Sequence, residues 1–387
     1  SSRFHKSNQW GNFWSVGASW RISEENFMKS TSDWLNNLTL KASYGVQGND
    51  NLGSYYVWQG RFSYGWANGT RPGSTASSIE NKLVTWEKNG NLNTGIEASM
   101  FGGRLTSTIE YYSRRTRDML LNNPLAISSG FSGYDDNVGS MVNRGLETSF
   151  RGVIFDRSNF HWDASLMLSM NRNKVTELTS SQDVINYGSV VIEKGKPIYT
   201  FYMSKSAGVS PSTGRQLYYA YYRYAVDKTG SIVTEKCDEY VTDNVGLASL
   251  SKYYYGSRQA LFSGSFSSNF TFFKNFDFSF LTTFSVGGKI YDSLYGGAMN
   301  VTYAGNNWHK NVLRRWQQPG DITDVPLVEI GGSRSSAGGD LIDASYFAIK
   351  NITLGYTLPS SLTKKAGIGA CRVFVTADNL ALFCNMN

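Results

Sequence analysis

Residues 160–171 read FHWDASLMLSMN, and their side chains sort by parity. Phe160, Trp162, Ala164, Leu166, Leu168 and Met170 fall on one side. His161, Asp163, Ser165, Ser169 and Asn171 fall on the other, with Met167 as the apolar exception. Successive side chains of a strand point to opposite faces, so this stretch reads as a strand apolar on one side only. The preceding run sets Val142, Leu146 and Phe150 against Asn143, Glu147 and Arg151. The polar stretch Phe155-Asp156-Arg157-Ser158-Asn159 turns the chain between the two runs. A chain made of such hairpins has one long apolar sheet face to cover, with a second sheet or with lipid.

The pattern recurs. Trp14, Val16, Ala18, Trp20 and Ile22 alternate with polar or small residues, and Ser23 with its following acids predicts a short capped helix. Leu38, Leu40, Ala42, Tyr44 and Val46 form the next face, and residues 48–89 read as loop. Leu92, Ile96, Ala98 and Met100 precede a tight turn at Phe101-Gly102-Gly103-Arg104, where glycines supply positive φ. Leu105, Ile109 and Tyr111 return. Residues 174–256 read as the longest loop. Phe262, Phe266, Phe270 and Phe272 then face a partner run of Phe276, Phe278, Phe280 and Phe284. Another long loop covers 291–343, after which Ile352, Leu354, Tyr356 and Leu358 mark a strand and 372–382 the last one.

This makes about ten strands of roughly 10–13 residues, a length that suits a tilted membrane crossing. Short turns and long loops alternate, as in outer-membrane barrels with short periplasmic turns and long extracellular loops. Trp14, Trp20, Tyr111, Trp162 and Tyr356 are candidates for aromatic girdles at the membrane interfaces. The composition agrees: aromatics are 14% and charged residues 17%, the latter below the usual ~25%. Mean hydropathy is −0.33, and no run of about 18 apolar residues offers a helical span. A barrel stays open to the chain because alternating strands average to low hydropathy. The net charge of +7 comes from scattered Lys and Arg, which argues against nucleic acid as a partner.

Site chemistry is sparse. Cys237, Cys371 and Cys384 lack metal-ligand spacing and read as inert thiols. His5, His161 and His309 suit neither a metal nor a triad, and Asp135-Asp136 lacks the spacing of a calcium loop. No nucleophile–base motif points to an enzyme, and no cofactor is expected.

Blocks along the whole chain resemble the C-terminal part of SusC/RagA-type TonB-dependent outer-membrane transporters of Bacteroidetes. They are NFWSVGASWRISEENFM (12–28), LTLKASYGVQGNDNLG (38–53), LVTWEKNGNLNTGIEASMFGGRLTSTIEYYSRRTRDML (83–120), NVGSMVNRGLE (137–147), RWQQPGDITDVPL (315–327), YFAIKNITLGYTLP (346–359) and, more weakly, VFVTADNLALF (373–383). Ala348 departs from the family, which tends to a longer, often basic residue there. The resemblance implies an all-β fold, a transmembrane antiparallel β-barrel of about 22 strands with a plug, to which residues 1–387 contribute the C-terminal portion. The plug, the TonB-contacting segment and the early strands would lie outside this sequence. An unclosed sheet in lipid leaves edge groups unpaired at several kcal/mol each, which also points to more chain.

The resemblance implies import of a bulky nutrient, an oligosaccharide or oligopeptide, across the outer membrane. The implied partners are a SusD-type surface lipoprotein, the TonB-ExbB-ExbD complex acting through the plug, and outer-membrane lipid, with two transporter–lipoprotein pairs forming a dimer. A passive porin or structural barrel is the alternative, and a soluble secreted carbohydrate-binding β-protein is a further one. The candidate ligand contacts are loop aromatics, whose flat faces stack on sugars or pack on peptide side chains. They are Trp58 and Trp66, with Tyr64 nearby, and Tyr218, Tyr219, Tyr221, Tyr222 and Tyr224; Tyr253, Tyr254 and Tyr255 could serve there or in a girdle.

Overall fold

The computed structural model describes residues 1–178, 183–302, 305–330 and 338–384. Parts of the predicted loops, at 179–182, 303–304 and 331–337, and the chain end at 385–387 lie outside the described residues. Ten strands form one sheet in strict chain order. They are β1 (Trp14–Arg21), β2 (Leu35–Asn49), β3 (Glu87–Met100), β4 (Leu105–Arg117), β5 (Ser140–Arg157), β6 (Phe160–Glu177), β7 (Phe262–Phe272), β8 (Phe276–Val286), β9 (Tyr346–Thr357) and β10 (Arg372–Cys384). Neighbours pair antiparallel throughout, and β1 and β10 are the two edges.

Register carries the apolar face across the sheet. Leu166 lies opposite Phe150 and Phe266. Phe270 lies opposite Phe278, Phe278 opposite Leu354, and Leu354 opposite Val375. A one-residue slip anywhere would turn a strand's apolar set to the polar side, so the pattern itself specifies the pairing. This face is not covered by protein: Ile96, Leu354 and Val375 are 46%, 54% and 72% exposed. Large apolar side chains aligned over ten strands need lipid.

The connections sort by end. Short turns close one end, with Phe101, Gly102 and Gly103 all at positive φ between β3 and β4. Aromatics crowd that end of the apolar face. Trp162 stacks on Phe270 at 5.4 Å and on Phe155 at 5.9 Å, and Phe276 meets Tyr356 at 4.5 Å. The Trp162 indole N–H donates to Ser268 Oγ at 2.7 Å, so its polar atom is satisfied against the wall. Trp14 packs on Tyr44 at the opposite, long-loop end. Tyr111 does not belong to a girdle: its partners Thr94 and Leu146 place it near mid-wall.

Four local expectations change. The turn between β5 and β6 is only Ser158-Asn159, because Arg157 already pairs with Phe160 and a bulge at Trp162/Asp163 restores the facing. The predicted helix after Ile22 is two 3₁₀ pieces, Ile22–Glu24 and Asn26–Thr31, and neither is capped by a side chain. The predicted loop at 48–89 contains the hairpin Arg61–Asn68 with Arg71–Ser78. The predicted loop at 174–256 is largely a second sheet of six short strands between Val184 and Gly256. These strands are short and their register is broken by bulges, so they leave no sustained alternation to read. The buried cluster Val138, Val175, Ile185 and Ile192 ties this second sheet to the long-loop end of β6.

Candidate functional site

The face opposite the apolar one is built from asparagine, glutamine, serine, threonine and scattered charges. Asn89, Asn91 and Asn93 line it on β3, Tyr112 and Arg114 on β4, Asn143 and Glu147 on β5, and Asn171 and Asn173 on β6. They are knit across strands. Arg114 Nε donates to Asn91 Oδ1 at 2.7 Å, and Asn91 Nδ2 donates to Gln47 Oε1 at 3.2 Å. The Tyr112 hydroxyl donates to Asn171 Oδ1 at 3.0 Å, and Asn173 Nδ2 donates to Asn143 Oδ1 at 2.8 Å. Toward the loop end Glu87 accepts from Asn49 and Asn89 and from the Leu120 backbone N–H.

These residues border an open cavity of about 550 Å³, lined by Gln47, Asn91, Tyr112, Arg114, Glu147 and Asn171 among others. Tyr112 lies flat there only because position 145 is glycine. A Cβ on Gly145 would stand 2.4 Å from the tyrosine ring and 2.3 Å from the Met170 carbonyl oxygen. The surface offers donors and acceptors in alternation, with one cation and one anion. It can meet hydroxyls, amides and charged groups of a passing chain with many weak contacts, as conduction requires. Further along the same face, Lys41 pairs with Glu97 across β2 and β3, and Asp277 with Arg372.

The loop aromatics separate into three kinds. Tyr218 is 1% exposed and packed on Ala248 and Val245, so it serves the second sheet's core. Strand alternation sends Tyr219 and Tyr221 to the other face. There Lys205 Nζ stands 4.2 Å from the Tyr219 ring, and Tyr253 meets Tyr221 edge-on at 5.5 Å. The Tyr221 hydroxyl donates to the Lys252 carbonyl at 2.7 Å, and the Tyr253 hydroxyl to Glu239 at 2.7 Å. Burial first, and then the neighbouring Tyr202, pushes the Tyr221 phenol well above its ordinary range. Burial and the Glu239 carboxylate do the same to Tyr253. Tyr222 accepts at its backbone carbonyl from the Tyr240 hydroxyl and packs on Tyr221. Trp58 is held edge-on by His5 at 5.3 Å. Trp66 and Tyr224 are 62% and 53% exposed and free to meet a ligand, as is Tyr64. Tyr253 to Tyr255 lie in the short strand Lys252–Gly256 of the second sheet, away from any girdle.

Sequence reasoning passed over the inward asparagines. Their signal was present, since the inward positions 89, 91, 93, 143, 171 and 173 are all asparagine rather than the serine common along the rest of the wall. Among the described residues no three His, Cys, Asp or Glu side chains meet as a metal would require, and all three cysteines are free thiols.

Comparison with known proteins gives the context. The model for "TonB dependent receptor-like, beta-barrel" matches residues 1–380. TonB-dependent receptor P39 of Formosa agariphila is 30% identical over all of this chain and 40% of its own length. TonB-dependent receptor SusC of Bacteroides thetaiotaomicron is 28% identical over 98% of this chain and 37% of its own. The RagAB peptide transporter structure superposes with a TM-score of 0.81 at 29% identity, covering all of this chain and 41% of that one. The RagAB peptide importer in its "open-open" state gives 0.75. The chain thus spans about 40% of the length of the curated relatives it matches.

Proposed function

The chain belongs to the TonB dependent receptor-like β-barrel family, an outer-membrane class, and from that premise we propose that it is the C-terminal wall and part of the extracellular loops of an importer. The cargo is a bulky nutrient, an oligosaccharide or oligopeptide. The TonB-ExbB-ExbD complex supplies the energy by pulling on a plug outside this stretch of sequence. A SusD-type surface lipoprotein closes the loop end, and two such pairs assemble. The wall does no covalent chemistry. It offers the amide-lined inner surface along which cargo passes, and Trp58, Trp66, Tyr219 and Tyr224 at the loop end contribute aromatic contacts.

The observation that carries this reading is the two-faced wall: an uncovered apolar outside and a cross-strand network of Asn91, Arg114, Tyr112, Asn171, Asn143 and Asn173 inside. A passive porin would share the outside. The two separate by energy dependence. Cells expressing the full-length protein are given labelled oligopeptide and oligosaccharide mixtures with and without a protonophore. Uptake that stops with the protonophore and with loss of TonB supports import; uptake that persists under both supports the porin.

A further inference from the structure

The apolar outer face changes character at its loop end. The outward positions of β4, β5 and β6, from Leu105 to Arg115, Val142 to Gly152 and Phe160 to Lys174, carry no carboxylate. They carry four cations, all at the loop end: Arg115, Arg144, Arg172 and Lys174. Arg144 stands directly opposite Arg172, and Val142 is flanked by Arg115 and Lys174. Like charges directly across a strand pair repel and destabilise a sheet. Yet all four are exposed. Among the described residues Arg172 donates to the Asn171 and Leu261 carbonyls, neutral acceptors that leave its charge uncompensated.

A second observation makes this a cleft rather than a scatter of surface charge. The segment after Ile192 folds back over the end of β6. Val175 N–H donates to the Lys196 carbonyl and Gly195 N–H to the Val175 carbonyl, at 2.9 and 2.8 Å. The cavity beneath it, about 550 Å³, is lined by Val142, Arg144, Arg172, Lys174 and Lys194. Apolar wall continues below, through Leu146, Met170 and Tyr111. Glu193, the acid next to Lys194 in the chain, is already engaged by Lys196 and the Tyr254 hydroxyl.

We propose that this cleft seats the phosphate-bearing headgroup of an outer-leaflet lipid, with its acyl chains lying on the apolar wall below. The site has the height, the volume and the charge for that occupant. It opens sideways from the outer wall, away from the inner surface that cargo would follow. Anionic headgroups gather Lys and Arg at a membrane surface, and a guanidinium fork binds phosphate through two parallel hydrogen bonds. The lipid anion would also relieve the repulsion between Arg144 and Arg172.

The test is native mass spectrometry of the full-length protein in neutral detergent, titrated with monophosphorylated lipid A, its dephosphorylated form, and phosphatidylcholine. R144Q/R172Q/K174Q is compared with R21Q/K274Q/K365Q, which removes as much charge from the short-turn end. Retention of the phosphorylated lipid should fall roughly five-fold per cation lost in the first variant and stay unchanged in the second. Equal retention of the phosphorylated and dephosphorylated lipids would overturn the proposal. So would displacement by millimolar inorganic phosphate, which would make this a free-phosphate site. Loss of a bound second copy or of the lipoprotein from the first variant, with lipid retention unchanged, would assign the cleft to a protein and overturn it too. A single R144Q variant with intact heat-modifiable mobility guards against misfolding.

Discussion

Placing arginine at two adjacent positions of β7 separates a lipid-facing wall from any soluble arrangement. Phe266 lies on the apolar face opposite Leu166 and Thr282, and its ring sits 5.8 Å from that of Phe280. Ser267 lies on the other face opposite Ser165 and Leu281. β7 has 11 residues, which at the rise of a strand and the tilt of a barrel cross about 25 Å of membrane. Phe266 is four residues from the loop-side end, so about 10 Å inside the apolar band. Arginine on the lipid face at that depth costs about 2–4 kcal/mol. Phe266→Arg should therefore be less stable than Phe266→Ala by that amount, whereas Ser267→Arg should change stability by only about 0.5 kcal/mol. Urea titration of the full-length protein in lipid vesicles, followed by tryptophan emission, reads the difference. Equal penalties at the two positions, or a larger one at Ser267, would refute the facing of the wall.

Three further outcomes follow from the geometry. Gly145→Ala should displace the Tyr112 ring and destabilise the wall by about 1–3 kcal/mol, read in the same titration; Gly152→Ala, where the nearest neighbour atom is 4.0 Å from the added Cβ, should be close to neutral. Arg114→Gln should slow cargo uptake with surface expression unchanged, because it removes the one cation of the inward cavity; uptake at the native rate would take Arg114 out of the path. Tyr221, Tyr253 and Tyr254 have phenols raised by burial, the last two also by glutamates. Their stabilising contribution is complete below the ordinary tyrosine value of about 10 and is lost as pH climbs through the raised values. The second sheet should hold its order at neutral pH and loosen only above pH 10, seen as late tyrosinate absorbance that shrinks in a Y253F/Y254F variant and keeps the Tyr221 contribution.

The wall was legible because barrel strands obey one rule over their full length. Leu166, Phe266 and Leu354 declare their face by parity alone, and the register then follows from keeping those faces together. The loop end was not legible for the opposite reason. Its strands are four to eleven residues long, and bulges such as the one between Ala220 and Tyr222 break the parity. Tyr218 shows the consequence. In sequence it is one of five neighbouring tyrosines, yet a strand must put alternate members on opposite faces, so it fills a core while Tyr219 and Tyr221 look the other way. The inward amides were legible but unread, since polar residues opposite an apolar face are expected of any barrel. Their cross-strand bonds are what mark them as a continuous surface.

The facing of the wall can be measured residue by residue on β6. Single cysteines at positions 161 to 171, in the full-length protein with Cys237, Cys371 and Cys384 replaced by serine, would carry a spin label in lipid vesicles. The account predicts that odd positions collide with a water-soluble nickel complex and even positions with lipid-dissolved oxygen, in strict alternation. Alternation of the opposite phase, or uniform accessibility to the nickel complex along the strand, would contradict it.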